Sequence, residues 1–161
     1  MADTMHNLSV TLFNAKGLRN ANLMSSQDPW AEIVVSGQKG NTKKHVGGGK
    51  APNWGGAAFN FRVPGSQLAM GDMWITIKTE GTFGAKIVGV ARIKLAPFAA
   101  GNVIDTWFPV THDNSRHGEV RAAIHLTPPH GAPAGPAMTT VRTYRAAPGG
   151  PGAGAVEGYP A

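Results

Sequence analysis

The chain has 161 residues, a net charge of +6 at neutral pH and no cysteine. Disulfides, thiolate metal sites and cysteine nucleophiles are therefore excluded. The basic balance favours acidic partners: a membrane surface, nucleic acid or an acidic protein. The length suits one domain with a tail.

Residues 1–7 lack a basic n-region and an apolar h-region, so they read as an N-terminal arm and not as a secretory signal. Residue 2 is Ala, which excludes N-myristoylation, and the C-terminus carries no prenylation box. No apolar run approaches the roughly 18 residues of a membrane-spanning helix. These features point to the cytoplasm, with room for cytoskeletal or membrane association.

Leu8-Ser-Val-Thr-Leu-Phe13 alternates apolar and polar residues, the period of a half-buried strand. Asn14 to Leu18 leaves it through a Gly turn, and 19–27 is a polar loop. Asp28-Pro29 ends that loop by turn chemistry. Trp30 to Val35 then favours a pleated strand. Residues 38–50 hold Lys39, Lys43, Lys44, His45 and Lys50 with no acid among them. A short strand is expected at Thr42–Val46, followed by a flexible loop at Gly47-Gly48-Gly49. Phe59, Phe61 and Val63 mark a strand at 57–63, and Met73 to Lys78 another. Glu80 to Gly84 is a loop before a strand at Ile87–Leu95. Asp105–Val110 and Glu119–Leu126 complete the body. Short strands separated by turn clusters argue an all-β sandwich or barrel. The four tryptophans, Trp30, Trp54, Trp74 and Trp107, lie on or beside strands and are expected in the core.

From Thr127-Pro128-Pro129 to Ala161 the composition turns to Pro, Gly and Ala. Such a segment cannot bury enough apolar surface to offset its ordering entropy. It nevertheless holds both tyrosines, Tyr144 and Tyr159, and a strand-like island with Val141, Arg142 and Arg145. Two readings stay open: an inert linker, or a docking peptide that lies along a partner.

In order and spacing, several motifs resemble the C2 domain family. Leu8 to Leu18 looks like the family's opening strand and Ala-x-Gly-Leu turn, and Asp28-Pro29-Trp30 its Asp-Pro-aromatic motif. Gln38-Lys39 followed by Thr42-Lys43 resembles the third strand. Pro52-Asn53-Trp54 with Phe59-Asn60-Phe61 resembles Asn-Pro-x-Trp and Phe-x-Phe, with Ala51 where Asn is usual. Ile87 to Ala91 resembles the Ile-Gly-x-Ala stretch. The resemblance implies an eight-stranded antiparallel C2-type β-sandwich over 8–127, with type II topology and an extended tail over 128–161.

Calcium-binding members of that family place clustered carboxylates on two loops, because hard cations take oxygen ligands. By resemblance those positions fall here on Asn22, Asp28, Lys78, Glu80 and Lys86, a degenerate set with only two acids. Like charges at such spacing cost several kcal/mol even at an effective dielectric of about 20, so no metal and no cofactor is expected. Lys39, Lys43, Lys44 and Lys50 fall on the stretch resembling the family's basic concave face. Strand alternation would set Lys44 opposite Lys43. Leu23, Met24 and Phe83 occupy loop positions that insert into bilayers in some members; packing against the body or another protein is the preferred reading over insertion.

His112-Asp113 with His117 is the nearest approach to a metal spacing and reads as a polar loop. The serines show no nucleophile elbow. With no catalytic constellation, the expectation is a non-enzymatic, calcium-independent module. It would attach to a protein partner or cytoskeletal-type assembly, with docking residues Val141, Arg142, Tyr144, Arg145 and Tyr159. The alternative is an adaptor on anionic phospholipid through its lysines. A specific nucleic-acid partner is not expected.

Overall fold

The computed structural model describes residues 4–22 and 25–127. The tail residues Val141, Arg142, Tyr144, Arg145 and Tyr159, together with Leu23 and Met24, lie outside the described residues. Eight strands form: β1 (Met5–Lys16), β2 (Trp30–Val35), β3 (Gln38–Asn41), β4 (Asn53–Pro64), β5 (Asp72–Gly81), β6 (Gly84–Lys94), β7 (Ile104–His112) and β8 (Ser115–Thr127). All their pairings are antiparallel.

The ladder runs β3-β2-β5-β6-β7-β8-β1-β4. It folds over on itself near β7, which pairs with β8 along most of its length but with β6 only at Val90↔Thr111. One layer is β3-β2-β5-β6 and the other β7-β8-β1-β4. The two ends of the ladder meet: a Cβ on Gly40 of β3 would come 2.7 Å from the Phe59 ring of β4. The opening strand is therefore flanked by β4 and by the last strand, the order implied by the resemblance.

The expected alternation is what fills the sandwich. Leu8, Val10 and Leu12 of β1 meet Ile33 and Val35 of β2, Met73, Ile75 and Ile77 of β5, and Val120, Ile124 and Leu126 of β8 in one buried cluster. Phe98, on a 3-10 turn (Ala96–Phe98), plugs the same core.

The short strand expected at 42–46 is absent; its place is taken by β3, four residues earlier. Val35 pairs directly with Gln38 across Ser36-Gly37, whose φ values of 50° and 74° make a two-residue hairpin turn. Pairing therefore starts at Gln38 and ends where the Thr42 hydroxyl accepts from Ala31 N–H. The tryptophans also differ from expectation. Trp30, Trp54 and Trp107 are half-buried, and Trp74 is 40% exposed on the outer face of β5. Three of the rings take a cation or a polar partner: Lys16 lies 4.2 Å from the Trp107 ring, Arg92 5.3 Å from the Trp74 ring, and Trp54 Nε1 donates to Pro29 O at 3.1 Å.

Candidate functional site

Antiparallel pairing puts the start of β2, the end of β3, the start of β4 and the β5–β6 turn at one end of the sandwich. The described residues of three segments converge there: 17–22 with 25–29, 42–52, and the turn at Thr82-Phe83.

They are stitched by side chains to backbone. Gln27 is 1% exposed and its amide is fully used. Its Oε1 accepts from Ala21 N–H at 2.9 Å, and its Nε2 donates to Arg19 O at 2.9 Å and Gly49 O at 2.8 Å. Arg19 donates through Nε to Val88 O at 3.0 Å and through Nη2 to Ile87 O at 2.6 Å. Lys86 Nζ donates to Ala21 O at 3.4 Å. Two cations thus cross-link loops through carbonyl oxygens.

Of the five positions aligned by resemblance with calcium ligands, Asn22, Asp28, Glu80 and Lys86 lie together at this loop end and Lys78 does not. Asp28 Oδ1 accepts from Gly47 N–H at 2.7 Å, and its own N–H donates to Thr79 Oγ1 at 3.1 Å. The carboxylate is a brace between two loops. Asn22 Nδ2 donates to Glu80 O at 3.4 Å. The Glu80 carboxylate lies 4.0 Å from Lys44. Lys78 faces away: it lies between buried Ile77 and Thr79, on the outer surface of β5, with its ammonium 3.2 Å from Glu32. The expectation that Lys78 stands among the loop positions is corrected by strand alternation. Among the described residues, no three His, Asp or Glu side chains are grouped to hold a cation. His112 and His117 do approach, with ring centroids 6.3 Å apart, at the β7–β8 turn.

Beside the loop end, a cleft of about 700 Å³ opens between residues 41–45 and β4. Lys43, Lys44 and His45 line one wall and Trp54, Ala58 and Phe59 the other. Strand alternation had set Lys44 opposite Lys43. Residues 42–46 are not a strand, so both lysines line the same cleft. Lys39 lies 3.7 Å from Glu32. This pair and the Lys44–Glu80 pair involve exposed lysines, which makes them weak ties. No carboxylate lies within 4 Å of Lys43 or Lys50 among the described residues. Lys50 sits apart from the cleft, its carbonyl accepting from Leu18 N–H.

The loop end also exposes apolar side chains. Phe83 is 100% exposed, Val46 71% and Ile87 48%. No sequence pattern flagged Val46; its exposure follows from the loss of the expected strand.

The family model of the C2 domain matches residues 6–110. This chain belongs to the C2 domain family. It is 30% identical to 16 kDa phloem protein 2 of Arabidopsis thaliana over 75% of this chain and 81% of the relative. It is 29% identical to Elicitor-responsive protein 3 of Oryza sativa subsp. japonica over 75% of this chain and 83% of the relative. Neither name is that of an enzyme. A solved C2 domain-containing protein superposes with a TM-score of 0.65 at 28% identity, covering 84% of this chain and 98% of that one. No helix among the described residues is long and apolar enough to cross a membrane.

Proposed function

We propose that this C2 domain is a non-enzymatic, calcium-independent module that docks on an anionic phospholipid surface with its loop end. The observation that carries this reading is the fully exposed Phe83 on the β5–β6 turn, at the same loop end as the exposed Val46 and the lysine-bearing loop. An aromatic ring in water at a turn tip has nothing to gain from the fold. Buried in the acyl boundary it contributes roughly 2 kcal/mol. Each lysine near anionic lipid adds about 1 kcal/mol. With Lys43, Lys44 and Lys50 the sum is on the order of 5 kcal/mol, a reversible and salt-sensitive attachment.

Calcium independence is supported by the donor set. Asp28 is engaged by Gly47, Glu80 faces Lys44, and Arg19 and Lys86 already bridge the loops. Co-sedimentation with phosphatidylserine vesicles tests the reading. Pelleting should persist in chelator and fade with added salt; a strict calcium requirement would overturn it.

A second reading, attachment to a protein partner or cytoskeletal-type assembly, is favoured by the cleft between residues 41–45 and β4. There, lysines face an aromatic wall at a sheet edge.

A further inference from the structure

β3 and β4 are the two ends of the ladder, so each has an edge without a strand beside it. Which backbone groups face that edge follows from parity, because N–H and C=O of successive strand residues point to opposite sides. Gly65 N–H donates to Thr4 O, so the odd-numbered residues at this end of β4 face β1. Arg62 faces the other way. Its N–H donates to Gln38 Oε1 at 2.9 Å, and its C=O accepts from Gln38 Nε2. One primary amide therefore occupies the edge as a peptide group would. Asn60 and Ala58 share the parity of Arg62, are exposed, and have no such partner among the described residues. Ala58 lines the cleft.

The segment along this side carries charge of one sign, and the acids that approach it, Glu32 at Lys39 and Glu80 at Lys44, come from β2 and β5. From residue 33 to residue 71, the span of β3, the following loop and β4, the chain carries Lys39, Lys43, Lys44, Lys50 and Arg62 and no Asp or Glu. Open edges bearing lysine are often kept that way to repel other strands. Here the lysines stand beside a formed cleft with an aromatic wall, which admits a strand of opposite charge.

We infer that the free edge of β4 at Ala58 and Asn60 receives an extended acidic peptide. The peptide pairs main chain to main chain, sets carboxylates against Lys43 and Lys44, and places an apolar side chain against Trp54 and Phe59. This is strand addition, in which ladder bonds supply affinity and the cleft supplies selectivity. It deepens the protein-attachment reading and rests on it. Lipid headgroups have no strand to offer, so the orientation of the Ala58 and Asn60 backbone favours a peptide over a membrane at this edge.

The test uses the full chain and a fluorescent peptide alternating glutamate and valine, with binding read by anisotropy. Two comparisons isolate the ladder. One is the same peptide N-methylated at alternate residues, which keeps its charge. The other is Ala58→Pro, which removes an edge N–H and leaves the β1 ladder intact. Each should weaken binding about tenfold, the loss of one to two hydrogen bonds. Should Ala58→Pro fail to fold, the methylated peptide decides alone. Equal binding of the plain and methylated peptides overturns strand pairing and leaves an acidic protein partner as the broader reading. No binding of either peptide, with phosphoinositide vesicles captured through Lys43 and Lys44, overturns both.

Discussion

The Gln27 side-chain amide donates to the Gly49 carbonyl at 2.8 Å, joining two loops that lie 22 residues apart in the chain. The same side chain holds Arg19 O and Ala21 N–H. Truncating it strands three backbone groups, at least one of them buried. Gln27→Ala should therefore lower unfolding stability by about 3 kcal/mol, read from the urea midpoint at unchanged m-value. A loss below about 0.5 kcal/mol, the range of an ordinary surface substitution, would show that water replaces the amide.

The Arg19 guanidinium spans from the first loop to the Ile87 and Val88 carbonyls. Arg19→Met keeps most of the stem and removes both bonds. Exchange at the Leu18 and Ala21 amides should accelerate about tenfold, with a stability loss near 1.5 kcal/mol. Added calcium should leave both numbers unchanged. Restoration by calcium would mean that the loops hold a cation site which the arginine had been filling.

Phe83 touches solvent over its whole surface. Phe83→Asp should leave stability within about 0.5 kcal/mol and cut vesicle binding at least tenfold. Thermal melting and co-sedimentation of one preparation separate the two effects. Undiminished pelleting of the variant counts against the loop end as the membrane face.

Gly118 sits at φ +91°, with a Cβ position 2.3 Å from Lys16 O and 2.6 Å from the Gly17 carbonyl carbon. Backbone, not a flexible side chain, occupies that space. Gly118→Ala should cost roughly 1–3 kcal/mol and disturb the β1–β8 pair at Lys16↔Glu119. Wild-type stability in the alanine variant would mean that this turn relaxes freely.

Most of the body was legible because a strand with one wet face writes a period of two. Leu8, Val10 and Leu12, or Val120, Ala122 and Ile124, declare their side without any neighbour in view. The position of β3 was harder, since Ser36-Gly37 gives the turn but Gln38 to Asn41 offers no apolar alternation. Gln27 left no signal: a polar residue in a polar loop looks solvated until its three partners are known. Tryptophan misled for the opposite reason. A large ring with one polar edge packs half in and half out, so strand location alone does not bury it. Lys43 and Lys44 share a cleft only because their segment departs from extended pairing.

β1 lies between β4 and β8, so its inner position is completed by the last strand of the sandwich. During translation, Leu8, Val10 and Leu12 emerge early and wait for Val120 to Leu126. Until then the flank of β1 that faces β8 has no mate. Stalling the ribosome short of β8 should therefore yield a protease-sensitive chain, and release past Thr127 a resistant one.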